Sequence, residues 1–211
     1  MDVGTLDELQ TQEYWDTRYA SEEGTTYDWF KKFEDIKDII LERIPSKDSR
    51  ILELGCGNST ITPSLHDLGY ANVTSLDFSP NLISQMRARH PGIDFVEMDI
   101  RNLVEESDKL QAGAGQWDLI IDKGTLDALV AEKGSVWEPS ERVFDNARRE
   151  IDGVLHLLKP GGTFLYLTWM QPHFRLRFLE RKADWDVTVR TINEGGGWDY
   201  FLFTGIKKVA P

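Results

Sequence analysis

The stretch ILELGCGN, Ile51 to Asn58, decides how this chain is read. A run of strand-forming residues breaks into Gly55 and Gly57, and then Asn58, Ser59 and Thr60 follow, each able to cap a helix that begins there. A strand, a tight turn and a helix are predicted. With no side chain on Gly55 or Gly57, a ligand can lie against the backbone, where amide groups and the positive end of the next helix point at it. The stretch reads as a cofactor cradle.

Spacing narrows the cofactor. A dinucleotide fingerprint needs a third small residue, G-x-G-x-x-G or A, and here Thr60 stands in that place. What is present instead is an acidic residue ahead of the glycines (Glu53), G-x-G, and an acidic residue ending the next predicted strand (Asp77). In these residues the chain resembles the class I methyltransferases. That resemblance implies that the cradle holds the methionine part of S-adenosylmethionine (SAM) and that Asp77 accepts hydrogen bonds from the ribose hydroxyls.

Composition bounds the rest. A chain of 211 residues with 40% hydrophobic and 28% charged residues suits one globular α/β domain with a sizeable core. No apolar run approaches the roughly 20 residues of a membrane span. The first ten residues, MDVGTLDELQ, are acidic and unlike a signal peptide, and Cys56 is the only cysteine. A reducing compartment is expected, with the cytosol as default. The balance of 24 Lys and Arg against 36 Asp and Glu gives a net charge of -12, which repels phosphate backbones and argues against nucleic acid as substrate. A basic protein or a cationic small molecule would be attracted by that field, although acidity can also serve solubility alone.

Residues 1–29 form an arm rich in aromatics, with Tyr14, Trp15, Tyr19, Tyr27 and Trp29. If Gln12 to Tyr19 is helical, Trp15 and Tyr19 share a face, and the arm either staples onto the core or serves as a lid over the cofactor. From residue 50 onward strand and helix patterns alternate. Phe30 to Arg43 is a helix ahead of them, and helices are expected after the cradle, over Asn81 to Arg89, Gly124 to Ala131 and Ser140 to Leu158. Strands are expected over Val73 to Asp77, Ile93 to Met98, Trp117 to Asp122 and, after a KPGG turn at Lys159 to Gly162, Thr163 to Trp169. Trp185 to Ile192 and Trp198 to Ile206 flank Gly195 to Gly197 and read as a hairpin. The fold expected is α/β, a Rossmann-like, seven-stranded, mostly parallel sheet with a C-terminal antiparallel hairpin and helices on both faces. Gly55, Asp77, Asp99 and Asp122 then meet at the carboxyl ends of the strands.

The stretch DKGTLDAL, Asp122 to Leu129, is the most specific in the chain. Together with EYWDTRY and YDWF in the arm, GCGN, and PHFR at Pro172 to Arg175, it resembles the eukaryotic methyltransferases that modify lysines of translation elongation factor 1A. The resemblance runs from about Glu13 through Arg175. It implies that Trp15, Tyr19 and Trp29 close on the cofactor, that Gly55 with Gly57 supports its methionine end, and that Asp77 and Phe78 take the ribose region. Asp99 and Ile100 would then meet the adenine, and Lys123 would contact the ligand. A sulfonium cation against aromatic rings suits this arrangement.

Asp122 and Asp127 are the candidates to receive and orient a lysine ammonium, with helix capping as the plain alternative for both. His66, His90, His156 and His173 show no metal-ligand spacing, so no metal is expected. Arg175, Arg177, Arg181 and Lys182 read as a solvated basic face. Two rivals stay open: a methyltransferase acting on a small amine or hydroxyl compound, and a SAM-binding scaffold without catalysis. An open acidic channel would favour a protein lysine over a small metabolite.

Overall fold

The computed structural model describes residues 5–192 and 198–209. A central strand β1 (Ile51–Leu54) is flanked on one side by β2 (Val73–Asp77) and β3 (Asp94–Glu97), and on the other by β4 (Trp117–Lys123), β5 (Leu158–Thr168), β7 (Tyr200–Lys207) and β6 (Trp185–Ile192). The first five strands in the chain run parallel, and β7 is antiparallel to both β5 and β6. The expected seven-stranded sheet with a closing hairpin is what forms. The Gly195 to Gly197 turn lies outside the described residues.

Strand alternation sends neighbouring side chains to opposite faces, and both faces are covered. Ile51, Leu119, Ile121, Leu165 and Leu167 pack with Phe33, Ile36 and Ile40 of α2 (Phe33–Leu41) and with Ile61 and Leu65 of α3 (Ile61–Asp67). Leu52, Ile120, Phe164 and Tyr166 pack on the other face against Val143, Ala147, Ile151 and Val154 of α6 (Glu141–Leu157). A third cluster joins Trp15 and Tyr19 of α1 (Gln12–Ser21) to Leu82, Ile83 and Met86 of α4 (Pro80–Arg89). The arm is thereby anchored against the sheet edge near β3.

Three local readings change. Thr60 precedes α3 but makes no side-chain cap; Ser59 Oγ takes the Ile61 amide (3.2 Å) and the Glu53 carboxylate takes that of Thr62 (3.2 Å). Lys159 to Gly162 does not precede the fifth strand but bulges within it, because β4 partners step from Leu158 to Thr163 between Trp117 and Leu119. A further helix, α7 (Pro172–Leu179), follows β5 where the sequence suggested a solvated basic face. Its arginines hid the pattern, since Arg175 points inward and is 8% exposed.

Candidate active site

The chain order β1, β2, β3 runs outward on one side of β1 and then resumes with β4 on the other, so the switch point falls at the carboxyl ends of β1 and β4. An open cavity of about 360 Å³ lies there. Trp15, Tyr19, Trp29, Gly55, Gly57, Asp77, Phe78, Asp99, Ile100, Lys123 and Asp127 all border it, whereas Asp122 does not.

The cradle is fixed from beneath by Glu53. Its buried carboxyl accepts from the hydroxyls of Ser59 (2.9 Å), Thr62 (2.7 Å) and Ser75 (3.2 Å), tying β1 to the loop, α3 and β2. Gly55 and Gly57 have φ of 53° and 52°, conformations that side-chain-bearing residues rarely adopt. The space beside each is used by the protein itself: a Cβ on Gly55 would overlap the Thr125 methyl, and one on Gly57 would sit 2.9 Å from the Tyr19 hydroxyl. The glycines thus admit two side chains as well as leaving their backbone at the cavity wall.

Asp77 closes the loop. Its Oδ2 accepts from the Gly57 amide (3.1 Å) and its Oδ1 from that of Ser79 (3.0 Å). Burial pushes its carboxyl up to about 6, against those two amides. Each oxygen keeps a further acceptor direction.

The arm meets the cradle through buried polar contacts. Trp15 and Tyr19 stack at 5.7 Å, one helical turn apart, and Trp29 meets Trp15 edge-on at 6.2 Å. The Arg18 guanidinium lies 4.8 Å from the Trp29 ring and 5.4 Å from that of Tyr27, and pairs with Glu22 at 2.9 Å. Glu22 in turn accepts from Asn58 of the cradle loop (3.2 Å). Asp28, which sequence reasoning passed over, accepts from the Thr60 hydroxyl (2.8 Å) and pairs with Lys123 (3.3 Å). Lys123 also donates to the Trp29 carbonyl (3.0 Å), so its ammonium holds the arm to β4. Phe30 beside it has φ 67°, a strained setting for an aromatic residue, and its ring fills the space that a side chain on Gly124 would need.

At the end of β3, Asp99 caps a short 3-10 turn over Ile100–Asn102 and is gripped by Arg101, whose Nε lies 2.9 Å from Oδ1 and whose Nη2 lies 2.5 Å from Oδ2. Burial raises this carboxyl, but the bonds from Arg101 outweigh it and hold Asp99 below its ordinary value. A ligand amine at this edge would share the carboxylate with Arg101.

The two carboxylates expected to face the acceptor separate. Asp122 is fully buried, and its oxygens accept from the amides of Thr125 and Leu126 (2.9 Å each), capping α5 (Thr125–Leu129). This is the capping alternative, and it takes Asp122 out of reach of an acceptor in the cavity. Burial pushes its carboxyl up to about 7. Facing it is Glu150 of α6, also fully buried, whose two oxygens meet no donor. Burial, followed by repulsion from Asp122, raises Glu150 well above its usual range, which favours its neutral form.

Asp127 does border the cavity. Its Oδ1 accepts from the Thr168 hydroxyl (2.7 Å) and from Arg175 Nη2 (2.8 Å), while its Oδ2 accepts from the Tyr166 hydroxyl (2.9 Å). Arg175 also donates through Nε to the Tyr166 oxygen (3.0 Å). Thus the PHFR segment, far from a solvated face, inserts the cation that compensates Asp127. Its His173 stacks on Trp137 at 5.4 Å, outside this network.

These residues fit SAM. The cavity reaches the size of small-molecule sites, its floor is bare backbone at two glycines, its edge carries a buried carboxylate with free acceptor directions, and its roof is aromatic. The methyltransferase domain family matches residues 45–189. EEF1A lysine methyltransferase 4 of Mus musculus is 33% identical over 90% of this chain and 73% of its own length; that of Bos taurus is 32% identical over 94% and 76%. Among solved structures, the glycopeptide N-methyltransferase MtfA complexed with S-adenosyl-L-homocysteine shares the fold, with a TM-score of 0.62 at 16% identity over 94% of this chain and 98% of its own. The chain belongs to the methyltransferase domain family, and it is a SAM-dependent methyltransferase.

Proposed function

We propose that this enzyme methylates the side-chain amine of a lysine in translation elongation factor 1A. What carries the proposal is the likeness, along most of the chain, to relatives named for that activity. The net charge of -12, which favours a cationic protein over nucleic acid, supports it. In this reading residues 1–211 form one methyltransferase domain working in the cytosol, the default for a chain with one cysteine.

SAM supplies a methyl group already activated on a sulfonium, so the protein's part is alignment. Gly55 and Gly57 would hold its methionine end, Asp77 and Phe78 its ribose, Asp99 and Ile100 its adenine, and Trp15, Tyr19 and Trp29 would face the cation. Lys123 acts through the arm it anchors.

The acceptor lysine has to arrive as the neutral amine, although its ordinary pKa is near 10.4. Desolvation in the cavity favours that form. Asp127 orients the amine through Oδ2, which among the described residues accepts only from the Tyr166 hydroxyl, and Arg175 compensates its charge so that it does not trap the ammonium. The proton leaves through the open mouth to solvent.

Incubation with labelled SAM and a proteome extract, followed by mapping of the labelled residue, tests this. Label on a lysine of elongation factor 1A is expected. Label confined to small amines or hydroxyl compounds would establish the small-molecule alternative instead.

A further inference from the structure

Apolar surface is concentrated at the cavity mouth. Val136 and Trp169 border the cavity and are each 49% exposed, and Trp137 beside Val136 is 68% exposed. Trp137 is not a loose side chain. It stacks on His173 and meets the Phe174 ring edge-on at 4.7 Å. Its loop, between α5 and α6, is clamped to α7 by Arg177, which donates to the carbonyls of Val136 (3.0 Å) and Trp137 (3.1 Å). The molecule thus fixes an exposed tryptophan in place beside its reaction site, without burying it. Rigid aromatic anchors that lose little entropy on binding are what protein-recognition surfaces use.

Charge narrows the occupant. Glu138 and Glu141 follow Trp137 in the chain, both exposed and without an ion pair among the described residues. The neighbouring cations are engaged: Lys133 pairs with Asp7, Arg142 with Asp7 and Glu132, and Arg177 holds the two carbonyls. The ridge is therefore apolar with an acidic border, continuous with the cavity.

The geometry points to this ridge, Val136, Trp137 and Trp169, as the docking surface for the protein acceptor. Aliphatic groups beside the target lysine cover the rings, and a basic patch of the acceptor meets Glu138 and Glu141. A free amino acid or small amine reaches the cavity without touching Trp137. This rests on the protein-lysine reading above and adds where the acceptor binds.

The test compares steady-state kinetics of the wild type, Trp137→Ala, Trp137→Phe and the double variant Glu138→Lys, Glu141→Lys, with unmethylated elongation factor 1A as acceptor. Trp137→Ala should raise KM for the protein about tenfold, the scale of a buried aromatic anchor, with kcat changed less than about twofold. Trp137→Phe should recover most of the loss. The double lysine variant should raise KM and flatten its dependence on salt. SAM affinity and melting temperature, measured for every variant, identify any that has lost its fold, and the charge variants lie on the exposed surface. A wild type that methylates elongation factor 1A while Trp137→Ala and the charge variants keep KM within about twofold overturns the ridge and leaves the acceptor reading intact. A wild type that transfers no methyl to elongation factor 1A overturns that reading and the ridge with it.

Discussion

The guanidinium of Arg175 lies 2.8 Å from the carboxylate of Asp127, and each side chain is only 9% exposed. A pair so deeply buried is costly to break, because either partner alone is left as an uncompensated charge. Arg175→Ala should therefore destabilise the fold by about 3 to 5 kcal/mol, measured by denaturant unfolding.

Asp127→Asn is isosteric but removes the charge proposed to orient the acceptor amine, and it leaves Arg175 uncompensated, so unfolding is measured beside activity. Methyl transfer should fall by about one to two orders of magnitude while SAM affinity stays within about threefold, since the lost contact concerns the acceptor. Calorimetry beside single-turnover rates separates the two. Loss of SAM binding in this variant would reassign Asp127 to cofactor support.

Asp77 gives cofactor binding a pH dependence. In the proposed site ribose hydroxyls would donate to the carboxylate, so binding would favour the ionised form of a group that burial pushes up to about 6. SAM affinity should be flat above about pH 7 and weaken as pH falls, by about tenfold at pH 5. Asp77→Ala should lose roughly 1.5 to 3 kcal/mol of binding and most of this slope. A slope that survives the substitution would place the titrating group elsewhere.

The Asp122 and Glu150 pair acts on stability. Both carboxyls are raised in the fold by burial, so the stability they contribute is fully present below their ordinary values and is lost as pH rises through about 7. The wild type should lose stability as pH rises from the ordinary carboxylate range through about 7, and Glu150→Gln, which has no proton to lose, should flatten part of that loss. Parallel curves for the two proteins would show that ionisation of Glu150 does not govern this loss.

Much of this was legible in the sequence for definite reasons. Strand ends marked by Gly55, Asp77 and Asp99 came from runs of strand formers that stop at polar residues, and Trp15 and Tyr19 were placed on one helical face by their spacing. What stayed hidden depended on contacts between segments distant in the chain. Nothing local distinguishes Asp122, capping α5, from Asp127, bordering the cavity. Arg175 looked like the other cations of its segment because its partner lies 48 residues earlier. Asp28 is one acid in an acidic arm until Lys123 and Thr60 are brought beside it.

The arm supplies a further prediction. Hydrogen exchange of residues 12–29 should slow when SAM is added, because the rings border the cavity proposed to hold it. Lys123→Met should speed exchange over residues 25–30 and weaken SAM in step, as expected of a lysine that works through Asp28 and the Trp29 carbonyl. Weaker SAM binding with unchanged exchange would mean that Lys123 touches the cofactor directly.

The most direct measurement is mass spectrometry of purified, unmethylated elongation factor 1A after incubation with this enzyme and SAM carrying a deuterated methyl group. The account predicts label on a lysine side-chain nitrogen, strongly reduced with Asp77→Ala at limiting SAM and with Asp127→Asn. Unlabelled elongation factor 1A, under conditions where the same enzyme methylates a small amine, would contradict it.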